Sequence, residues 1–109
     1  MRRGDICIAA ARGPCTGKPR PVVIVQDDRF EAIASVTVCP LTTHLVEAPL
    51  VRIPVEPTAA TGIEQPSHIM VDKVVTMSRA NVRSHLGRLA DPDVVRLNRA
   101  LLVFLGLAE

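Results

Sequence analysis

The chain has 109 residues, 48% of them apolar, and 13 basic against 11 acidic side chains give a formal charge of only +2. That is enough for one domain with a modest core over residues 1–109, and too little charge to grip a long duplex by phosphate neutralisation alone. Cys7, Cys15 and Cys39 have neither paired nor metal-ligand spacing, and no apolar run approaches the roughly 20 residues of a membrane helix, so the expectation is a cytoplasmic protein with no membrane contact, metal or cofactor.

In chain order, Asp5 to Ala10 reads as a short strand and 11–19 as a Gly/Pro-rich loop. Val22 to Gln26 is a β-branched run suited to a strand buried on both faces, ended by Asp27-Asp28-Arg29. Ser35 to Leu41 and Val51 to Val55 are further strands. Ser67 to Met77 is a strand or bent strand pair, with Asp72-Lys73 as its corner and Asp72 in an ion pair or hydrogen bond there. Ser78 caps a single helical turn, and His85 to Leu89 forms a last strand. A helix follows, with Asp91 as its N-cap, Pro92 at its first position and Val94, Leu97, Leu101 and Phe104 on its apolar stripe. Short strands in meander order plus one terminal helix predict a mainly β (α+β) fold, a small bent antiparallel barrel with the helix packed on it. Cys7 and Cys39 fall in strands as core residues, and His68 and His85 read as hydrogen-bonded structural histidines.

The chemistry concentrates at Lys18-Pro19-Arg20-Pro21. Proline fixes its own φ and restricts the residue before it, so Arg20 has little backbone freedom and its guanidinium is aimed in advance. A planar fork of donors that keeps its charge suits a phosphate. Arg2, Arg3, Arg12, Lys18 and Arg20 together form a basic patch near the N-terminus, whereas Arg79, Arg83, Arg88, Arg96 and Arg99 read as a solvated face. Asp27-Asp28 has no third ligand at a matching spacing and makes no metal site.

Four blocks, Arg3-Gly4-Asp5-Ile6, Gly17 to Gln26, Val38-Cys39-Pro40-Leu41-Thr42-Thr43 and Ser67 to Thr76, resemble in order the MazF/PemK toxin family. The resemblance implies an SH3-like barrel of the MazF/PemK/CcdB type that forms a homodimer. It implies a metal-independent, sequence-specific endoribonuclease toxin of a type II toxin–antitoxin system. Such an enzyme cuts single-stranded RNA to 2′,3′-cyclic phosphate and 5′-hydroxyl ends and is restrained by a cognate antitoxin. The family's catalytic arginine falls on Arg20 and its threonine on Thr42, with Thr43 the choice if the strand ends in another register.

Arginine gives up a proton reluctantly, so this pair lacks an evident base. His44 is either that base or a loop residue touching RNA. The loop serine of some relatives has no clear counterpart, and Thr16 stands in for it beside Lys18 as an RNA contact. With no Trp or Tyr and Phe104 assigned to the helix stripe, Phe30 is the one platform for stacking a base. The alternative on the same fold is a CcdB-like, non-enzymatic toxin that binds DNA gyrase; it requires a tryptophan-bearing C-terminal tail that this sequence lacks.

Overall fold

A computed structural model describes residues 1–10 and 18–108. Among them, strands β1 (Asp5–Ala9), β2 (Arg20–Ile24), β3 (Ser35–Thr42), β4 (Arg52–Val55), β5 (Ser67–Met70), β6 (Val75–Ser78) and β7 (Val82–Arg88) precede one helix, α1 (Asp91–Phe104). All pairings are antiparallel, in the order β4-β5-β3-β2-β1-β7, with β6 also on β3.

Strand β3 is the spine. On one edge Val38, Cys39 and Pro40 pair with β2; on the other, Ser35–Val38 pair with β6 and Leu41–Thr42 with β5. The chain passes from β5 to β6 through the expected corner, a 3-10 turn at Val71–Lys73. Asp72 is held there by Arg52, whose Nε and Nη2 donate at 3.0 and 3.3 Å, and this bond keeps its carboxyl below the usual carboxylate range. The partner is thus across the sheet on β4, not the adjacent Lys73. The Ser78 cap is also present: its hydroxyl accepts from the N–H of Ala80 at 3.3 Å.

Both faces of the central strands are buried. Ile6, Val23, Cys39, Leu41, Ile53, Ile69 and Val71 pack beneath Leu97 and Ala100 of α1. Cys7, Val22, Ile24, Val36 and Val38 form a second cluster on the opposite face. Cys7 and Cys39 are fully buried, and burial pushes the Cys39 thiol up to about 12.

Three details differ from the sequence-based expectation. The sheet is bent but does not close: its edges β4 and β7 are not paired, and the chain between β4 and β5 lies against β7 instead. The N–H of Arg88 donates to the carbonyl of Ala60 at 2.8 Å, and Gly87 lets that backbone approach so closely that a Cβ would sit 2.2 Å from the Ala60 oxygen. The helix N-cap is Ala90, so Asp91 lies inside the first turn and favours the helix through its charge at the positive end of the dipole. Phe104 is 43% exposed, because the core ends at Leu97, Ala100 and Leu101 while the helix runs on.

Candidate active site

Strand β2 begins at Arg20 itself, earlier than its apolar run suggests, because β1 supplies a partner: Arg20 pairs with Ala9 and Pro21 with Ile8. On its other edge β2 sets Val22 opposite Pro40, and that register carried two residues further brings Arg20 level with Thr42. Thr42 ends β3 opposite His68 of β5, which in turn faces Pro54 of β4. Facing residues of an antiparallel sheet share one face, so Arg20, Thr42 and His68 form a row across three adjacent strands.

Arg20 and Thr42 line one open cleft of about 300 Å³, together with Lys18, Leu41, Thr43, Ser67 and the prolines flanking Arg20. Arg20 and Lys18 are exposed, and neither has an ion-pair partner among the described residues. A phosphate entering the cleft therefore meets two uncompensated cations and a hydroxyl. The hydroxyl of Ser67 is committed elsewhere, donating to the carbonyl of Gln65 at 3.0 Å.

The strand does not persist beyond Thr42. The N–H of His44 donates to Thr42 Oγ1 at 3.1 Å, which folds 42–44 into a turn, so strand alternation does not carry His44 onto the face of Thr42. His44 is exposed and lies outside the cleft, whereas Thr43 is exposed and borders it.

Other sequence candidates are dispersed. Antiparallel pairing of β1 with β2 sends Arg2 and Arg3 to the end away from Arg20, where Arg3 Nε donates to the carbonyl of Val25 at 2.8 Å. Phe30 sits past that same far end of β2, 48% exposed, with the Arg29 guanidinium 5.9 Å from its ring centre. Thr16, Arg12 and Cys15 lie outside the described residues. Asp27 and Asp28 are engaged by Arg29 and by the N–H of Arg3, and among the described residues no three or more His, Cys, Asp or Glu side chains converge as metal ligands.

His68 reads in the sequence as a structural strand histidine, because nothing local ties it to Thr42. The structure sets it beside Thr42 and leaves its Nδ1 buried without a hydrogen-bond partner, contrary to the expected satisfied histidine. His85 is exposed, with Nε2 3.5 Å from Asp5 Oδ2.

Residues 2–105 match a family model described as PemK-like, MazF-like toxin of type II toxin–antitoxin system. A probable endoribonuclease MazF from Mycolicibacterium smegmatis is 62% identical over 108 residues, covering 99% of both chains. Among solved structures, the Mycobacterium tuberculosis toxin MazF-mt6 superposes with a TM-score of 0.77 at 26% identity, covering 94% of this chain and 99% of that one. An endoribonuclease in complex with its cognate antitoxin, from a mycobacterial species, superposes with a TM-score of 0.82 at 21% identity over 100% of this chain and 98% of that one, a likeness of fold.

Proposed function

The chain belongs to the PemK-like, MazF-like toxin family of type II toxin–antitoxin systems and is an endoribonuclease toxin; from that premise we propose that it cleaves single-stranded RNA at the Arg20/Thr42 cleft without a metal. The observation that carries this reading is the meeting of Arg20 and Thr42, from separate strands, in one cleft whose cations have no acidic partner among the described residues.

In the proposed reaction the ribose 2′-oxygen attacks the adjacent phosphorus. The O2′–P bond forms as the P–O5′ bond breaks, leaving a 2′,3′-cyclic phosphate and a 5′-hydroxyl. The 2′-hydroxyl loses its proton to solvent water, and the departing 5′-oxygen gains one from solvent. Charge grows on the non-bridging oxygens, where a fixed guanidinium and a hydroxyl donor stabilise the transition state more than the ground state. Lys18, Thr43 and His44 hold the RNA backbone around the cleft.

A cognate antitoxin would restrain the enzyme by laying an acidic, disordered segment over the same cations. A second copy of the chain would cover the apolar end of α1, where Leu102, Phe104, Leu105 and Leu107 are exposed. The gyrase-binding alternative has nothing in its favour: the chain has no Trp, and its 62%-identical relative is a probable endoribonuclease.

The test is cleavage of a long single-stranded RNA in excess EDTA. Cutting should persist, yield 5′-hydroxyl ends, and collapse in folded Arg20→Ala and Thr42→Ala variants. Loss of cutting in EDTA, or undiminished cutting by Arg20→Ala, overturns the mechanism.

A further inference from the structure

A second concavity adjoins the cleft. The segment between β3 and β4, strand β4 itself and the later turns of α1 enclose a groove of about 430 Å³, larger than the Arg20/Thr42 cleft. Its walls are largely apolar, with Leu50, Ile53, Pro54 and Val103 among them, and Arg96 and Arg99 come from the helix. His68 joins the two spaces, since it lines the groove while standing opposite Thr42 in the ladder.

Two polar groups of the lining lack a protein partner among the described residues. Nδ1 of His68 is buried with no hydrogen-bond partner among the described residues, and it reaches a ligand in the groove once the imidazole ring turns. Arg52 and Arg96 are engaged by Asp72 and Asp93, whereas Arg99 has no ion-pair partner among the described residues. With those two pairs neutralised, Arg99 and the carboxylate of Glu47 are the uncompensated charges of the lining, and Arg99 is its free cation among the described residues. Flat apolar walls, a ring nitrogen in need of a partner and a free guanidinium match the face, edge and phosphate of a nucleotide. An apolar peptide segment would satisfy the walls and neither polar group.

Continuity with the cleft sets the position of that nucleotide. Strands lie about 4.8 Å apart, so an extended RNA crossing Arg20, Thr42, His68 and Pro54 in turn enters the groove without reversing direction. We propose that this groove is the subsite for a nucleotide flanking the scissile phosphate, with His68 hydrogen-bonding its base and Arg99 holding its phosphate. The subsite rests on the ribonuclease reading above and extends it to sequence selection. It supplies base recognition in a chain that has no Trp or Tyr to stack on.

The experiment sequences the 5′ ends of fragments made from one long single-stranded RNA by the unmodified protein and by His68→Ala, Arg99→Ala and Arg20→Ala. His68→Ala should relax the preference at one position next to the cut about tenfold or more. Arg99→Ala, a surface change on α1 that leaves the core intact, should raise KM severalfold with its sequence preference and kcat retained. If His68→Ala does not fold, the KM of Arg99→Ala decides the matter. Unchanged preference and KM in the folded variants, with Arg20→Ala inactive, overturns the subsite and leaves the reaction standing. Normal cutting by Arg20→Ala overturns both. Unchanged RNA cleavage with weakened inhibition by an acidic, apolar peptide assigns the groove to a protein partner and also overturns the proposal.

Discussion

Thr42 Oγ1 accepts a hydrogen bond from the backbone N–H of His44 at 3.1 Å, which occupies an oxygen lone pair and leaves the hydroxyl proton free to donate. The hydroxyl of this cleft-lining residue thus keeps its donor uncommitted. Thr42→Ser keeps both bonds and should cleave RNA within a few-fold of the unmodified rate. Thr42→Val keeps the shape and loses both, and a missing donor to a developing oxyanion costs about 10²–10³ in rate. Single-turnover cleavage of the two variants, with thermal unfolding to confirm the fold, separates the hydroxyl from the branched side chain.

His44 turns away after Thr42, and its side chain is exposed outside the cleft. His44→Gln should therefore leave the acidic limb of the pH–rate profile in place, with any loss confined to KM. Disappearance of that limb would restore His44 as the proton acceptor.

Asp5 is a structural keystone with a pH signature. Burial, the largest single influence, pushes its carboxyl up, yet the N–H of Arg2 at 2.8 Å and the guanidinium of Arg88 at 3.0 Å outweigh it, and the net direction is downward. A depressed carboxyl contributes stability that is fully present above its unfolded value near 3.8 and is lost as pH falls through the lower folded value. Asp5→Asn should cost about 1–3 kcal/mol at pH 7, because the Arg2 and Arg88 donors keep a poorer acceptor. The difference should shrink below about pH 4, where the native carboxyl also protonates. Urea unfolding of both proteins at pH 7 and pH 3 checks the sign.

The seam between β7 and the β4–β5 connection tolerates no side chain at Gly87. A Cβ there would meet the Ala60 oxygen at 2.2 Å and the Thr61 carbonyl at 2.5 Å, both backbone atoms that cannot swing aside. Gly87→Ala should destabilise the protein by about 1–3 kcal/mol. Leu97→Ala, which opens a cavity beneath the helix at a fully buried site, should cost about 2–5 kcal/mol. Denaturant midpoints at constant m-value measure both.

What the sequence reveals divides by range. The corner at Asp72, the Ser78 turn and the helix body are local patterns of periodicity and capping, and they are legible residue by residue. Relationships made by strand pairing are not. The partner of Asp72 is Arg52, brought over by the β4–β5 ladder, although Lys73 stands next to it in the chain. The basic residues at the N-terminus look like one patch until antiparallel pairing sends Arg2 and Arg3 to the other end of β1 from Arg20. His68 looks like an ordinary strand residue, because only the register of β3 against β5 sets it beside Thr42. Closure of the sheet also escapes the sequence, since it depends on whether β4 and β7 meet or a loop comes between them.

Strand β3 alternates Leu41, buried at 2% exposure, with Thr42, which opens into the cleft. Because the alternation has a period of two, shifting this strand by a single residue would turn leucine toward the substrate and threonine into the core. Folding and chemistry here share one binary setting. Under the proposed reaction, a molecule whose spine is paired out of step is at once less stable and without its hydroxyl in the cleft.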